Sequence, residues 1–268
     1  YISENLIRVH YRFKNTSSQD IIETVLFPLP IVPAFIDYDF ADTKGLVNSF
    51  RIYADGKPVR PQTHVRAYFE RSNGSLVDVT ADLKKCGLSN QELMHPWTKK
   101  QDGEKIGSKI RACRSAKVQS MLPKQTDELP DWSAQIIYSW KQTFKAGSIT
   151  EIKHQYTPLV GGSFLPSLKA KDSKAFIDAY CMDENFLNNF KNVKEGSKFY
   201  HHLGYILTTG ANWAKPIGKF KLTIDREPNT VISLCWDKSL RKVGPNRFQA
   251  VKENFLPKKD LDIIFVYN

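Results

Sequence analysis

Alternation with a period of two residues constrains this chain more than any other feature. In "LIRVHYRF", Ile7, Val9, Tyr11 and Phe13 fall on one side, and Arg8, His10 and Arg12 on the other. Such a segment buries one face as a strand and offers no helical stripe. The pattern recurs. "IIETVLFPLP" reads as a second strand, stopped by Pro28 and Pro30, which cannot donate to a ladder. "FRIYADGKPV" carries the hairpin-turn pair Asp55-Gly56, and "THVRAYFE" is a further short strand. "QIIYSWKQTF" puts Ile136, Tyr138, Trp140 and Phe144 on one face, and "ITEIKHQYTPLV" does the same with Ile152, His154 and Tyr156. "IGKFKLTID" turns Phe220, Leu222 and Ile224 inward and Lys219, Lys221 and Thr223 outward. "GYILTT", "TVISLCW", "RFQAV" and "LDIIFVY" supply the remaining strands. The expected fold class is mainly β, with antiparallel β-sandwich-type sheets in one domain or two closely packed ones.

Residues 78–132 interrupt the pattern. "DVTADLKKCGLSNQELMHPW" has helical spacing, with Ser89 and Glu92 placed for a capping box. The following "TKKQDGEKIGSKIRACRSAKVQ" is lysine-rich and low in apolar residues. This stretch is expected to be a small helical or irregular insertion, between an N-terminal β meander at 1–77 and a β-rich part at 133–268. Within the latter, Phe186, Leu187, Phe190 and Val193 are spaced for a short amphipathic helix near 183–194. "VGGSF" reads as a flexible break.

Cys86, Cys113, Cys181 and Cys235 are widely spaced and contain no C-x-x-C pair, so neither a zinc ribbon nor a thioredoxin-like motif is indicated. An even, dispersed set suits two structural disulfides in an oxidising compartment. Three pairings exist. Cys86–Cys113 and Cys181–Cys235 each join nearby segments of similar character and are favoured, and four buried thiols are the alternative. A formal net charge of +11 draws acidic partners, or simply keeps a lysine-covered surface soluble.

Several segments together resemble one family. "YISENLIRVHYRFKN", "FPLP", "YSWKQTFKAGSITEIKHQYTPLVGGSF", "YCMDENF", "YILTTGANWAKPIGKFKLTID" and "FLPKKDLDIIF" are similar to the bacterial domain of unknown function 4424 family, with "LTTGANWAKPIG" the most specific part. That resemblance implies an exported protein with its signal peptide removed, periplasmic or secreted, and a strand-like first residue agrees with a trimmed start. It implies no activity. It also places cysteines at Cys181 and Cys235, which supports pairing them and leaves Cys86 for Cys113. The insertion is shorter and more lysine-rich than the family pattern. The N-terminal "VHYRFKN…VLFPLP" additionally resembles the β-sandwich domain that opens inter-alpha-trypsin inhibitor heavy chains.

Motifs for chemistry are sparse. The sequence holds no H-E-x-x-H, G-x-S-x-G, P-loop or dinucleotide fingerprint. His154 sits on an inward face and reads as a core histidine. His201-His202 are adjacent, so on a strand they point to opposite faces and do not chelate one ion together. No metal, cofactor or catalytic residue is expected. Two surfaces remain as candidates. In the first, Thr208, Thr209, Asn212, Trp213, Lys215, Lys219 and Lys221 form a ligand or partner surface, with Trp213 as an aromatic platform. The rival reading makes this turn a structural corner, with Gly210 and Gly218 supplying unusual backbone angles. In the second, Lys99, Lys100, Lys105, Lys109, Arg111, Arg114 and Lys117 bind an anionic surface such as acidic lipid, against only Asp102 and Glu104 in the segment. No nucleic-acid partner is expected, because aromatics are not interleaved among these cations. The expected function is a non-enzymatic binding or interaction module, with an unknown protein or envelope component as partner. The alternatives are a hydrolase with a site between the sheets and the insertion, or a binder of anionic phospholipid head groups.

Overall fold

The computed structural model describes residues 1–32, 43–94, 103–121, 132–169, 173–190 and 196–267. Along the chain run β1 (Ile7–Lys14), β2 (Ile21–Pro28), helix α1 (Thr43–Ser49), β3 (Arg51–Ala54), β4 (Lys57–Val59), β5 (Gln62–Glu70) and β6 (Leu76–Asp78). Four short helices follow: α2 (Thr80–Lys85), α3 (Asn90–Leu93), α4 (Gly103–Arg111) and α5 (Ala116–Gln119). Then come β7 (Ser133–Phe144), β8 (Ile149–Tyr156), β9 (Gly161–Phe164), α6 (Lys174–Ala179), α7 (Glu184–Phe190) and β10 (Phe199–Tyr205). The last strands are β11 (Ile217–Asp225), β12 (Thr230–Leu234), β13 (Arg241–Lys242), β14 (Arg247–Phe255) and β15 (Leu261–Tyr267). The fold is mainly β, built of antiparallel sheets with few helices and two disulfides. Two disulfides fit a non-cytoplasmic location.

The chain forms two compact units. One comprises residues 11–44 and 52–152. Its sheet has the order β2-β7-β5-β6, antiparallel throughout. The turn between β3 and β4 holds Asp55 at φ 48° and Gly56 at φ 78°, the left-handed pair expected of Asp-Gly. Helix α3 opens with the capping box: Ser89 N–H donates to Glu92 Oε2 at 2.8 Å, and Glu92 N–H donates to Ser89 Oγ at 3.2 Å. The insertion is richer in core than its composition suggests. Leu83, Leu88, Leu93, Ile106, Ile110 and Val118 are buried together against Val65 and Ala67 of β5. Ile106 and Ile110 are four apart on α4, so a mostly polar helix still presents an apolar edge. Trp132 joins this core and donates Nε1–H to the Leu93 carbonyl at 2.9 Å. The Cys86–Cys113 bridge closes the same region.

The other unit comprises residues 1–10, 45–51 and 153–268. One sheet has the order β12-β15-β10-β9 and a second the order β11-β14-β13. Helices α6 and α7 cover one face of the first sheet, where Phe186, Phe190 and Met182 meet Ile264 and Val266. Of the four residues that the helical spacing singles out, Phe186 and Phe190 are buried, Leu187 packs partly buried against the same core, and Val193 lies outside the described residues. The Cys181–Cys235 bridge joins the end of α6 to the end of β12. His154 is 1% exposed and stacks on Phe50 with ring centres 5.9 Å apart, as an inward position requires.

"VGGSF" is not a break but strand β9, whose glycines are demanded by their neighbours. A Cβ on Gly161 would stand 2.5 Å from His202 Nε2, and one on Gly162 would stand 2.7 Å from His201 Cδ2 and 2.8 Å from Phe199 Cζ. Glycine here makes room for cross-strand rings. Gly162→Val is therefore expected to destabilise the protein by about 1–3 kcal/mol, as overpacking does. Gly218, with nothing near its missing Cβ, serves as the control. Thermal melts followed by circular dichroism should show a clear loss for Gly162→Val and none for Gly218→Ala.

Candidate functional site

The Leu207–Trp213 turn is built around one carboxylate. Asp260 Oδ1 accepts from Leu207 N–H at 2.8 Å, Thr208 N–H at 2.9 Å and Thr208 Oγ1–H at 2.8 Å. This fixes the start of a 3-10 turn over Thr208–Asn212. Gly210 and Gly218 do not have the positive φ that sequence suggested. Gly210 is required for space instead, since a Cβ would stand 3.2 Å from Ile217 Cδ1 and 3.3 Å from Pro257 Cγ. Nothing in the structure explains a glycine at 218.

Beside this turn lies a shallow hollow of about 210 Å³. Trp236 and Phe255 form its apolar wall, Lys252, Lys258 and Lys259 supply ammonium groups, and Leu207 and Asp260 belong to the turn itself. Phe220 from β11 backs the wall, 4.6 Å from Phe255 and stacked on Trp236 at 5.9 Å between ring centres. The Lys252 ammonium lies 4.8 Å from the centre of the Trp236 ring and 5.2 Å from that of Phe255, and also pairs with Asp237. Lys252 holds the Asp237 carboxyl down to about 2, helped by Ser239. Trp236 Nε1–H donates to Ser239 Oγ at 3.0 Å, which fixes the indole. Lys258 and Lys259 are exposed at the rim.

The sequence-derived surface is only partly assembled here. Thr208 reaches the hollow's edge through Asp260. Thr209 is half-buried, Asn212 and Lys215 are exposed, and Trp213 is 41% exposed. Lys219 and Lys221 alternate with Phe220 on β11, so they occupy the face of that strand opposite the aromatic wall. Across the ladder they meet Glu253 and Val251. Sequence reasoning missed Lys252, Phe255 and Trp236. The available signal was a lysine at an inward position: Phe248, Ala250 and Lys252 continue one face of β14, and a buried-side lysine needs a partner.

In the insertion, two of the proposed anion-binding cations are already engaged. Lys109 Nζ lies 2.7 Å from Glu92 Oε1 and also donates to the Gly87 carbonyl at 2.9 Å. Glu92 is held down to about 2, first by Lys109. Lys117 Nζ donates to the Asp78 carbonyl at 2.6 Å and lies 3.5 Å from Asp82. Lys105, Arg111 and Arg114 are exposed, while Lys99 and Lys100 lie outside the described residues.

Two further places bear on catalysis. His64 Nε2 lies 2.6 Å from Ser139 Oγ, a nucleophile–base distance. Ser139 sits within β7, paired with Leu26 on one side and Gln62 on the other, so the backbone amides there serve the ladders and not an oxyanion. A second depression, of about 380 Å³, lies at the turn between β13 and β14. Its carboxylate, Asp225, is gripped by Arg247 through two contacts of 2.6 Å.

Comparison with known proteins supplies the family. The profile described as Domain of unknown function (DUF4424) matches residues 1–264. The chain belongs to the DUF4424 family. Among solved structures, a Legionella pneumophila protein provisionally described as nutrient-binding is similar at 16% identity with a TM-score of 0.43. The match covers 99% of this chain, which spans 61% of that protein's length. No curated protein matches the sequence. No described helix is long and apolar enough to cross a membrane.

Proposed function

We propose that this DUF4424 member is a non-enzymatic binding or interaction module of the periplasm or the secreted fraction, and that it takes an acidic partner at the hollow beside the Leu207–Trp213 turn. The supporting observation is the combination there of two aromatic rings and three lysines. At about 210 Å³ the hollow is smaller than the ~300–1,000 Å³ of pockets that enclose a metabolite. It suits a carboxylate or phosphate group presented by a larger body, such as an envelope component, another protein or a lipid head group. Lys252 is tied to Asp237 and braces the rings, so recognition of the anion falls to Lys258 and Lys259. The hydrolase alternative has less support: the space between β5 and α2–α5 is filled by core side chains. The lipid alternative through the insertion is weakened because Lys109 and Lys117 are used internally.

Retention on immobilised polyglutamate and flotation with phosphatidylglycerol vesicles test the proposal and separate carboxylate from phosphate. Binding to one of them should be salt-sensitive. The double variant Lys258→Glu/Lys259→Glu should weaken it about tenfold or more, at roughly 1 kcal/mol for each basic residue. Lys219→Glu/Lys221→Glu, on the other face of β11, should weaken it much less. No binding to either probe, or equal losses in both variants, would remove this site from consideration.

A further inference from the structure

Glu4, His201 and Tyr267 meet in a cluster that leaves one buried carboxylate oxygen without a hydrogen-bond partner among the described residues. Glu4 is held in place by the short pairing of its segment with β11, where Ile2 N–H donates to the Thr223 carbonyl and Asp225 N–H to the Ile2 carbonyl, each at 2.9 Å. Its side chain is only 6% exposed. His201 lies opposite Phe265 in the β10–β15 ladder, so Tyr267, two residues on, is a diagonal neighbour on the same face. His201 Nδ1 is 2.6 Å from Glu4 Oε1, Tyr267 Oη is 2.6 Å from the same oxygen, and Oη and Nδ1 are 2.8 Å apart. Two donors thus crowd one carboxylate oxygen. The other oxygen, Oε2, is buried and has no hydrogen-bond partner among the described residues. Oε1 has lone pairs for both bonds, so the unmet acceptor is the buried Oε2.

From this geometry we propose that Glu4, His201 and Tyr267 form a binding site for a hard, Lewis-acidic metal ion, with ferric ion the best match. Three potential ligand atoms lie 2.6–2.8 Å from one another, and the bare Oε2 offers a fourth position through a bidentate carboxylate. The donor set is two oxygens and an imidazole with no thiolate, which disfavours soft ions. Among the described residues no three His, Cys, Asp or Glu side chains gather in this way, and here a tyrosine supplies the third donor. A tyrosine ligates as the phenolate, which favours a strongly Lewis-acidic cation. Binding therefore releases the phenol proton and any proton on Nδ1 to solvent, and leaves the imidazole proton on Nε2. The neighbours keep the ligand ring in place. Phe199 meets the His201 ring edge-on at 5.1 Å, and Gly162 gives that ring its room. His202 points to the opposite face of β10, consistent with a single histidine in the set.

The test is a titration of the full chain with ferric nitrilotriacetate, read by visible absorption and by thermal melting. The expected result is one ion per chain, a tyrosinate-to-iron charge-transfer band, and a rise in Tm. Tyr267→Phe should abolish the band and the rise, and Glu4→Gln should weaken binding at least tenfold. Far-UV circular dichroism of each metal-free variant checks that it is folded, and the wild-type titration decides the matter even if a variant is not. Absence of both band and rise in the wild type would overturn the assignment. So would an unchanged band in a folded Tyr267→Phe variant, or binding of zinc without binding of ferric ion.

Discussion

Serine in place of both Cys181 and Cys235 is expected to lower the unfolding free energy by about 4 kcal/mol, the loop-closure value for a bridge of this span. The two cysteines are 54 residues apart in sequence. The bridge ties α6 to β12 across a face whose core depends on α6 and α7 staying docked, with Ser233 Oγ–H donating to the Tyr180 carbonyl at 2.9 Å alongside. Short helices of six and seven residues do not persist without such support. The Cys86–Cys113 bridge spans 27 residues, and its removal should cost about 3.5 kcal/mol on the same scale. Urea denaturation of the oxidised wild type and the two double-serine variants measures both. In a chain of this size a loss of 4 kcal/mol moves Tm by roughly 8–16 °C. A loss below about 1 kcal/mol would mean that packing alone holds α6 and α7, against the chain-entropy expectation.

Acid should destabilise the protein through His154, by about 4–5 kcal/mol between pH 6.5 and pH 3. The ring is 1% exposed among Phe50 and Tyr156. Burial pushes its pKa down to about 3, from an ordinary value of 6.5. Across that interval the unfolded chain takes up a proton that the folded chain refuses, so stability falls as pH falls. Above pH 6.5 the contribution is fully present. Carboxylates held near 2, such as Glu92 and Asp237, begin to lose their contribution only below their ordinary values of 4.5 and 3.8. The loss from pH 6.5 to 4.5, about 2–3 kcal/mol, is thus assigned to histidine. His154→Phe keeps a flat ring in an apolar site and removes the titration. Urea midpoints at pH 7 and pH 4.5 should differ clearly for the wild type and much less for the variant, with the remainder falling to His202, whose pKa burial also lowers. An equal acid loss in both would clear His154 of the role.

The backbone architecture was legible because burial on one face leaves a period-two record in the residues themselves. β1, β8 and β11 follow their alternation position by position, and the Asp55-Gly56 turn follows from the backbone angles those residues tolerate. The insertion was harder. Ile106 and Ile110 face the core from a helix whose other positions are charged or small, so composition hid a stripe that spacing contained. β9 was missed because two glycines signal freedom in isolation, and only the rings on the neighbouring strand show that they signal crowding. The hollow was half legible. Its turn stands out in "LTTGANW", but its wall joins residues 220, 236, 252 and 255 through strand pairing that a linear reading does not supply. The Glu4–His201–Tyr267 cluster spans nearly the whole chain and has no local signature.

The bridge between Ile2 and Ile224, and the contact of Glu4 with Tyr267, set an order on how the molecule can be made. Ile2 and Glu4 find these partners only once β11 and β15 have been made. Contacts of such sequence separation form slowly, because the chain entropy lost in closing so long a loop comes before any gain. The residue 11–152 region, whose segments are complete by the middle of the chain, carries no such delay. It follows that a nascent or translocating polypeptide of this kind cannot complete the unit of residues 1–10, 45–51 and 153–268 until β15 has emerged, with the edge beside Ile2 held open for whatever chaperone or transport machinery handles it.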